Sequence, residues 1–277
     1  MLVDSHCHLQ DPQFDADRDD ALERARQAGV SAFVVVGTDL DSSWRAVDLA
    51  DSHSDLFAVV GVHPHNAGAL NGRAMGALRR LADSPKVVAI GEIGLDYYRR
   101  RAPPEAQLAA FRQQLELARE LRLPVVIHSR SADEETFDIL AAYGEQALPH
   151  WPKDRPLGMM HCFAGDLSLA LRYTRMGFVI SVPATVTYPK SDRLRAVAGG
   201  LPLRWLAVET DSPYLPPQSR RGKRNEPAFL VEAVRQIADL RGDAFETVCS
   251  RTALAAAWLF GLGDIGEPAP TRRKEGS

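Results

Sequence analysis

Four histidines and two carboxylates of this 277-residue chain stand where they could share divalent metal ions. His6 and His8 flank Cys7, and on an extended segment the side-chain period of two puts both imidazoles on one side and the thiol on the other. Alone, such a pair reads equally well as a satisfied polar strand edge. The other four carry the argument, because each is expected at the C-terminal end of a strand. Glu92 follows Val87-Val88-Ala89-Ile90-Gly91, His128 follows Val125-Val126-Ile127, His161 follows Met159-Met160, and Asp211 follows Ala207-Val208-Glu209-Thr210. Gathering so many ionisable groups without a cation is costly in desolvation. The set exceeds what one catalytic zinc takes, about three ligands plus a water, and suits two divalent ions sharing a carboxylate. Glu92, on the middle strand, is the expected bridge, and Asp211 is expected to act as ligand and general base together.

The elements that must position these groups are legible as short apolar runs: Leu2-Val3, Ala32 to Val36, Phe57 to Val62, Val87 to Ile90, Pro124 to Ile127, Leu157 to Met160, Phe178 to Val182 and Trp205 to Val208. Amphipathic stretches separate them, among them Asp19 to Ala28, Ser43 to Ala50, Glu105 to Leu121, Glu134 to Ala142, Leu167 to Met176 and Ser191 to Ala198. Glu226 to Leu240 and Asp243 to Leu259 follow the last run. Such alternation requires a parallel sheet. Eight strands in a chain of this length predict an α/β fold, a TIM-like (β/α)8 barrel with outer helices, whose C-terminal strand ends converge on one mouth. Within Glu105 to Leu121, the stripe Leu108, Phe111, Leu115, Ala118 reads as plain packing against the barrel wall. Trp258 and Phe260 are expected to close the lower rim. One domain, residues 1–263, is expected, with 264–277 a flexible polar tail.

Charge narrows the function classes. Lys+Arg 33 against Asp+Glu 36 gives a net charge of −3, so the molecule does not coat nucleic acid by bulk charge. Cys7, Cys162 and Cys249 are dispersed and odd in number, which fits free thiols in a reducing compartment. With no secretory leader pattern and no run of about 18 apolar residues, a cytoplasmic protein without membrane or obligate protein partner is expected. Around the mouth, Arg130 and Arg224 are expected to take flanking phosphates and Phe163 to stack on unpaired bases, although rim packing or a solvated loop explains each as well. His63 and His65 share a face after their strand. They are expected to contact a phosphate, with His63 protonating a leaving oxygen and His65 equally suited to a structural hydrogen bond. By parity, Asp4 and Glu209 are expected to accept ring N–H bonds from metal-bound histidines, and Cys162 to point away.

In order and content, Asp4-Ser5-His6-Cys7-His8-Leu9, Gly61-Val62-His63-Pro64-His65 and Gly91-Glu92-Ile93-Gly94-Leu95-Asp96 resemble the TatD family of metal-dependent hydrolases. So do Ile127-His128-Ser129-Arg130, Met160-His161-Cys162-Phe163-Ala164-Gly165, Glu209-Thr210-Asp211-Ser212-Pro213-Tyr214-Leu215 and Arg221-Gly222-Lys223-Arg224-Asn225-Glu226-Pro227. The resemblance runs from residue 2 to about residue 260. It implies an amidohydrolase-like barrel with a binuclear site whose ligands are His6, His8, Glu92, His128, His161 and Asp211. It also implies a DNase, with 3'-to-5' exonuclease action on single-stranded DNA and a place in DNA repair. Two divalent ions are implied, magnesium first, with manganese or zinc as alternatives. The bridging position carries Glu92 while the nearest lysine, Lys86, stands at the start of that run, so a carbamate bridge is not expected. The alternative activity is esterase or amide hydrolysis, for instance deacylation of D-aminoacyl-tRNA. A nucleic-acid-binding module without catalysis is disfavoured by the complete ligand set.

Overall fold

The computed structural model describes residues 1–153 and 155–263, so the expected tail, 264–277, lies outside the described residues. Eight strands pair in parallel and in chain order: β1 (Leu2–Cys7), β2 (Val30–Val36), β3 (Leu56–Val60), β4 (Val87–Asp96), β5 (Val125–Arg130), β6 (Gly158–Met160), β7 (Phe178–Pro183) and β8 (Leu206–Glu209). Around them lie α1 (Arg18–Gln27), α2 (Leu40–Asp51), α3 (Gly72–Leu81), α4 (Pro104–Leu121), α5 (Asp133–Ala147), α6 (Leu167–Arg175), α7 (Asp192–Gly200), α8 (Leu230–Arg241) and α9 (Phe245–Phe260). The result is a nearly closed TIM-like barrel. Its seam is bridged near the mouth, where the Asp211 N–H donates to the His6 carbonyl at 2.9 Å and the His8 N–H to the Ser212 carbonyl at 2.7 Å. Among the described residues no helix is long and apolar enough to cross a membrane.

Two apolar clusters hold the barrel, and alternation along the strands sorts residues between them. Val3, Val34, Val36, Val59, Val88, Val126, Met159, Val179 and Ala207 fill the interior, closed below by Leu259 and Phe260 of α9. Phe33, Val35, Ala58, Ile90, Ile127 and Val208 face outward beneath the helices. Of the two residues expected at the lower rim, Phe260 is buried in the plug, whereas Trp258 stays 36% exposed beside Trp205, their rings 5.0 Å apart.

The interior is apolar only at its lower end, because the same inward positions turn polar toward the mouth: His6, Glu92, His128 and Glu209 succeed Val3, Ala89, Val126 and Ala207. Three strands run well past their apolar runs. β1 continues through His6, β4 to Asp96 and β5 to Arg130, so Glu92 and His128 lie inside strands and not at their ends. Both β1 and β4 carry a bulge. The register slips between Asp4 and Cys7 on β1 and between Ile90 and Ile93 on β4. An extra residue re-aims the side chains that follow, which turns Glu92 inward while Ile90 and Ile93 both face out. Gly91 and Gly94 permit this. A Cβ at Gly91 would lie 2.7 Å from Val126 Cβ, and Gly94 adopts φ +138° with the His128 carbonyl oxygen 2.0 Å from where a Cβ would sit.

One helix has no counterpart among the stretches read from the sequence. In α3 only Ala74 and Leu78 are buried, and its start rests on the Asn71 side chain, which accepts the Arg73 and Ala74 N–H groups.

Candidate metal centre and its surround

Glu92 lies at the centre of the mouth, 3% exposed, with its two oxygens facing different groups. Oε2 is 3.6 Å from His6 Nε2. Oε1 is 2.9 Å from His128 Nδ1, 3.4 Å from His63 Nε2 and 3.6 Å from His161 Nε2. Asp211 Oδ1 stands beyond the first group, 3.3 Å from His8 Nε2, 3.8 Å from His6 Nε2 and 3.9 Å from His161 Nε2. The His6 and His161 rings stack at 3.5 Å. Thus all six expected ligands meet in one place. Donor atoms of His6, His8 and Glu92, of His6, His161 and Asp211, and of His63, Glu92 and His128 each lie within 4.8 Å of one another.

The chemistry of this donor set fits divalent cations. A carbonyl only accepts, so the contact of His8 Nδ1 with the Val36 carbonyl at 2.7 Å puts a proton on Nδ1. In the neutral ring, the Nε2 lone pair then faces the Asp211 carboxylate. His128 lies between two carboxylates, its Nε2 3.2 Å from Asp96 Oδ2 and its Nδ1 2.9 Å from Glu92 Oε1; burial would lower it, but these two acceptors push it up, so without a cation the ring holds protons toward both. Acceptor facing acceptor in a buried site needs either extra protons or a metal. Burial pushes the Glu92 carboxyl up, but His161, His63 and His128 outweigh it and hold it well below the usual carboxylate range. Burial would lower His161, yet Glu209 and Glu92 push it up to about 10, so in the absence of a cation a proton takes a cation's place.

His63 is built differently. Its Nδ1 accepts the His65 N–H at 3.0 Å, so the neutral ring carries its proton on Nε2, 3.4 Å from Glu92. It presents a donor where the other rings present lone pairs. His65 Nε2 lies 2.9 Å from Asp96 Oδ2.

Several expected residues lie elsewhere. Asp4 does not touch a histidine ring. The bulge after it breaks the parity on which that expectation rests, and its carboxylate instead accepts the Thr210 N–H at 2.9 Å and the Thr210 hydroxyl at 2.5 Å. Burial pushes its carboxyl up to about 7, against those hydrogen bonds. Glu209 Oε1 does sit 3.0 Å from His161 Nδ1, but the same oxygen accepts the Cys162 N–H at 2.7 Å, and the ring nitrogen is not aligned for a hydrogen bond. Cys162 follows the end of β6 with φ +45°, so strand parity no longer governs it and its sulfur falls within 4.8 Å of the His161 and Glu209 donor atoms.

Phe163 is not a rim aromatic; it is 6% exposed and packs edge-on to Tyr173 in the core. Arg224 pairs with both oxygens of Asp17 at 2.7 Å and with Glu226 at 3.0 Å, above the Phe14 ring, so its guanidinium fastens loops together and is not free for a phosphate. Arg130 does reach the rim, its guanidinium 4.1 Å from the centre of the Tyr98 ring, and Tyr98 is 62% exposed. Tyr214, a residue whose role the sequence left unread, lies half-exposed beside His8 with ring centres 5.8 Å apart. Asp96 was likewise unread: the apolar run ends at Ile90, and nothing in the pattern announces that the strand goes on.

The sequence profile of the family described as TatD related DNase matches residues 3–261. An uncharacterized metal-dependent hydrolase of Bacillus subtilis, YabD, is 36% identical over 94% of this chain and 99% of its own length. A protein of Erwinia tasmaniensis named 3'-5' ssDNA/RNA exonuclease TatD is 39% identical over 94% of this chain and all of its own. Among solved structures, the TatD homologue YJJV of Escherichia coli superposes with a TM-score of 0.87 at 31% identity, covering 95% of this chain and 98% of that one. With the barrel, the converging ligand atoms and these relatives in agreement, the chain belongs to the TatD family of metal-dependent hydrolases.

Proposed function

We propose that this protein is a cytoplasmic nuclease that uses two divalent ions, one on each side of Glu92, to remove nucleotides from the 3' ends of single-stranded DNA. The observation that carries the reading is the division of the Glu92 oxygens between two sets of nitrogen donors. His6, His8 and Asp211 would hold one ion and His128 and His161 the other, with Glu92 common to both. Ions held there supply Lewis acidity to a phosphodiester and a low-pKa water, magnesium being the first choice and manganese or zinc the others.

The protein's own groups divide the remaining work. Asp211 Oδ1 accepts the proton of the attacking water. His63 Nε2–H donates toward the leaving oxygen, a role that its tautomer, set by the His65 N–H, prepares. His65 and Arg130 would lie beside the substrate phosphates, and Tyr98, with Arg130 4.1 Å and Arg99 5.8 Å from its ring centre, offers its exposed ring surface to an unpaired base. With a net charge of −3 the surface as a whole does not draw in a polyanion, so the strand would be held by the ions and side chains of the mouth. The name of the Erwinia relative supports both the polarity and the single-strand preference.

The test is a time course on 5'-labelled and 3'-labelled single-stranded and duplex DNA, and on RNA. Metal-stripped protein is assayed with magnesium, manganese or zinc restored, beside Glu92→Ala. The expected result is a ladder shortening from the 3' end that requires metal and Glu92. Cleavage of acyl esters or amides with no cleavage of nucleic acid under any metal would overturn the reading.

A further inference from the structure

Asp96, the last residue of β4, is 1% exposed and fully engaged. Its Oδ2 lies 2.9 Å from His65 Nε2 and 3.2 Å from His128 Nε2, and its Oδ1 accepts the Arg99 N–H at 2.7 Å. Its backbone is held as firmly. Gln107 of α4, fully buried, accepts the Asp96 N–H through Oε1 at 2.8 Å and donates Nε2–H to the Asp96 carbonyl at 3.2 Å and the Ala102 carbonyl at 2.9 Å.

Seven residues on, on the same helix face, Gln114 repeats the arrangement at Val62. It accepts the Val62 N–H at 2.7 Å and donates to the Val62 carbonyl at 3.0 Å and the Ala110 carbonyl at 3.2 Å. Each amide pairs with both backbone groups of one residue, as a neighbouring strand would. The two residues so held are Asp96 itself and the residue before His63. Packing alone does not call for a buried amide, since leucine would fill a similar volume without polar groups to satisfy.

We infer that Asp96 is a positioning residue that fixes the ring and tautomer of His128, and that α4 holds Asp96 and His63 in place through Gln107 and Gln114. The inference builds on the metal-dependent reading above. An Nε2–H directed at Asp96 leaves His128 Nδ1 as its only lone pair, aimed at the Glu92 side of the site. The same Asp96 oxygen takes His65, so one carboxylate sets two rings. The two glutamines act on different residues, and their loss has different consequences. Gln107 acts through Asp96 on a metal ligand. Gln114 acts on His63, which is a proton donor and not a ligand.

Zinc serves as a diamagnetic probe. Nitrogen-15 spectra of histidine-labelled, zinc-loaded protein, with His128→Asn to assign the ring, should show the His128 proton on Nε2 and the metal on Nδ1. In zinc titrations of metal-stripped protein, Asp96→Asn and Gln107→Met should bind about tenfold to a hundredfold more weakly than the parent, the range expected when a ligand's orienting partner is lost. Gln114→Met should keep zinc affinity within about twofold while losing about tenfold in kcat on bis(p-nitrophenyl) phosphate, with KM nearly unchanged. A His128 proton found on Nδ1 in the parent overturns the inference, as does an Asp96→Asn affinity equal to the parent's. Equal losses of affinity in both glutamine variants would mean a merely structural clamp. Should Asp96→Asn not fold, the parent spectrum and Gln107→Met still decide. A parent that binds zinc but cleaves neither this diester nor DNA defeats the nuclease reading, while the spectra and titrations continue to test this one.

Discussion

Glu92 concentrates the chemistry of the molecule in one side chain, since each of its oxygens faces different histidines. Glu92→Gln keeps the volume and hydrogen-bonding reach but removes the charge that would offset two cations. Metal affinity and kcat should each fall by at least about a hundredfold, with circular dichroism unchanged; activity within tenfold of the parent would deny Glu92 its central place. Metal binding should also release protons. With Glu209 and Glu92 outweighing burial to push His161 up to about 10, its proton must leave when a cation enters, so apparent affinity weakens as pH falls. Titrations in buffers of different ionisation enthalpy read that release directly. Asp4 gives a separate signal in folding stability. Its carboxyl stands at about 7 folded against 3.8 as an isolated side chain, so its contribution is complete below about pH 4 and lost as pH rises toward about 7. Asp4→Asn, which imitates the protonated form, should flatten that part of the stability profile in urea denaturation. A parent profile already flat between these values would show that Asp4 is ionised in the fold. At this scale the ligands were readable because His6 and His8 share one side of an extended segment and the other four follow predicted strands. Asp4 was misread because a bulge is invisible in a parity count.

Elements set where these residues meet, and here the sequence was informative about runs and silent about irregularities. The eight strands follow from short Val- and Ile-rich segments and the helices other than α3 from the amphipathic stretches between and after them. The extension of β4 to Asp96 does not, since Glu92, Gly94 and Asp96 carry no apolar signal. Helix α4 shows the complementary limit: Phe111, Leu115 and Ala118 make its apolar stripe plain, but Gln107 and Gln114 on the buried face look like solvent-exposed residues until their backbone partners are known. Gly94→Ala tests the close approach of β4 to β5. With a Cβ placed 2.0 Å from the His128 carbonyl oxygen, at a φ that L-residues rarely adopt, β5 must shift. The variant should lose metal affinity together with several degrees of Tm, and a parent-like titration would mean the strands part without disturbing His128. The loops offer a cleaner contrast. Arg24, Asp17, Arg224 and Glu226 form a closed ring of ion pairs joining the start of α1 to the segment before α8. Arg130 instead lies over Tyr98 at the rim. Arg224→Ala should therefore lower Tm and leave nucleotide affinity nearly intact. Tyr98→Ala should leave Tm intact and weaken single-stranded DNA binding by about fivefold to a hundredfold, the worth of one stacked base. The reverse pattern would return Arg224 to the substrate and Tyr98 to the scaffold.

For the whole molecule, the decisive quantity is the contrast between a net charge of −3 and a mouth built to hold cations. A polyanion approaching from most directions meets no net attraction, and contact is expected at the rim, with Arg130 and the basic residues Arg220, Arg221, Lys223 and Arg224 as the candidates. Arg220 is excluded from that group because Glu232 lies 3.9 Å from it, and Arg224 because it is paired with Asp17 and Glu226. Each phosphate neutralised on a single strand contributes a slope of about −0.7 to log affinity against log salt. Three such contacts give about −2, or roughly a fifteenfold loss between 50 and 200 mM salt. The measurement is binding of a short single-stranded oligonucleotide by fluorescence anisotropy across that range, on the Glu92→Gln variant so that nothing is cleaved. Arg130→Ala in that background should reduce the slope by less than one. A slope of −5 or steeper would mean that the strand runs along basic surface well beyond the rim. A slope near zero would mean that the rim side chains do not take the strand's phosphates. The intermediate value fits a barrel that admits one strand terminus at a time, because a longer basic track would let the strand lie across the mouth and be cut internally.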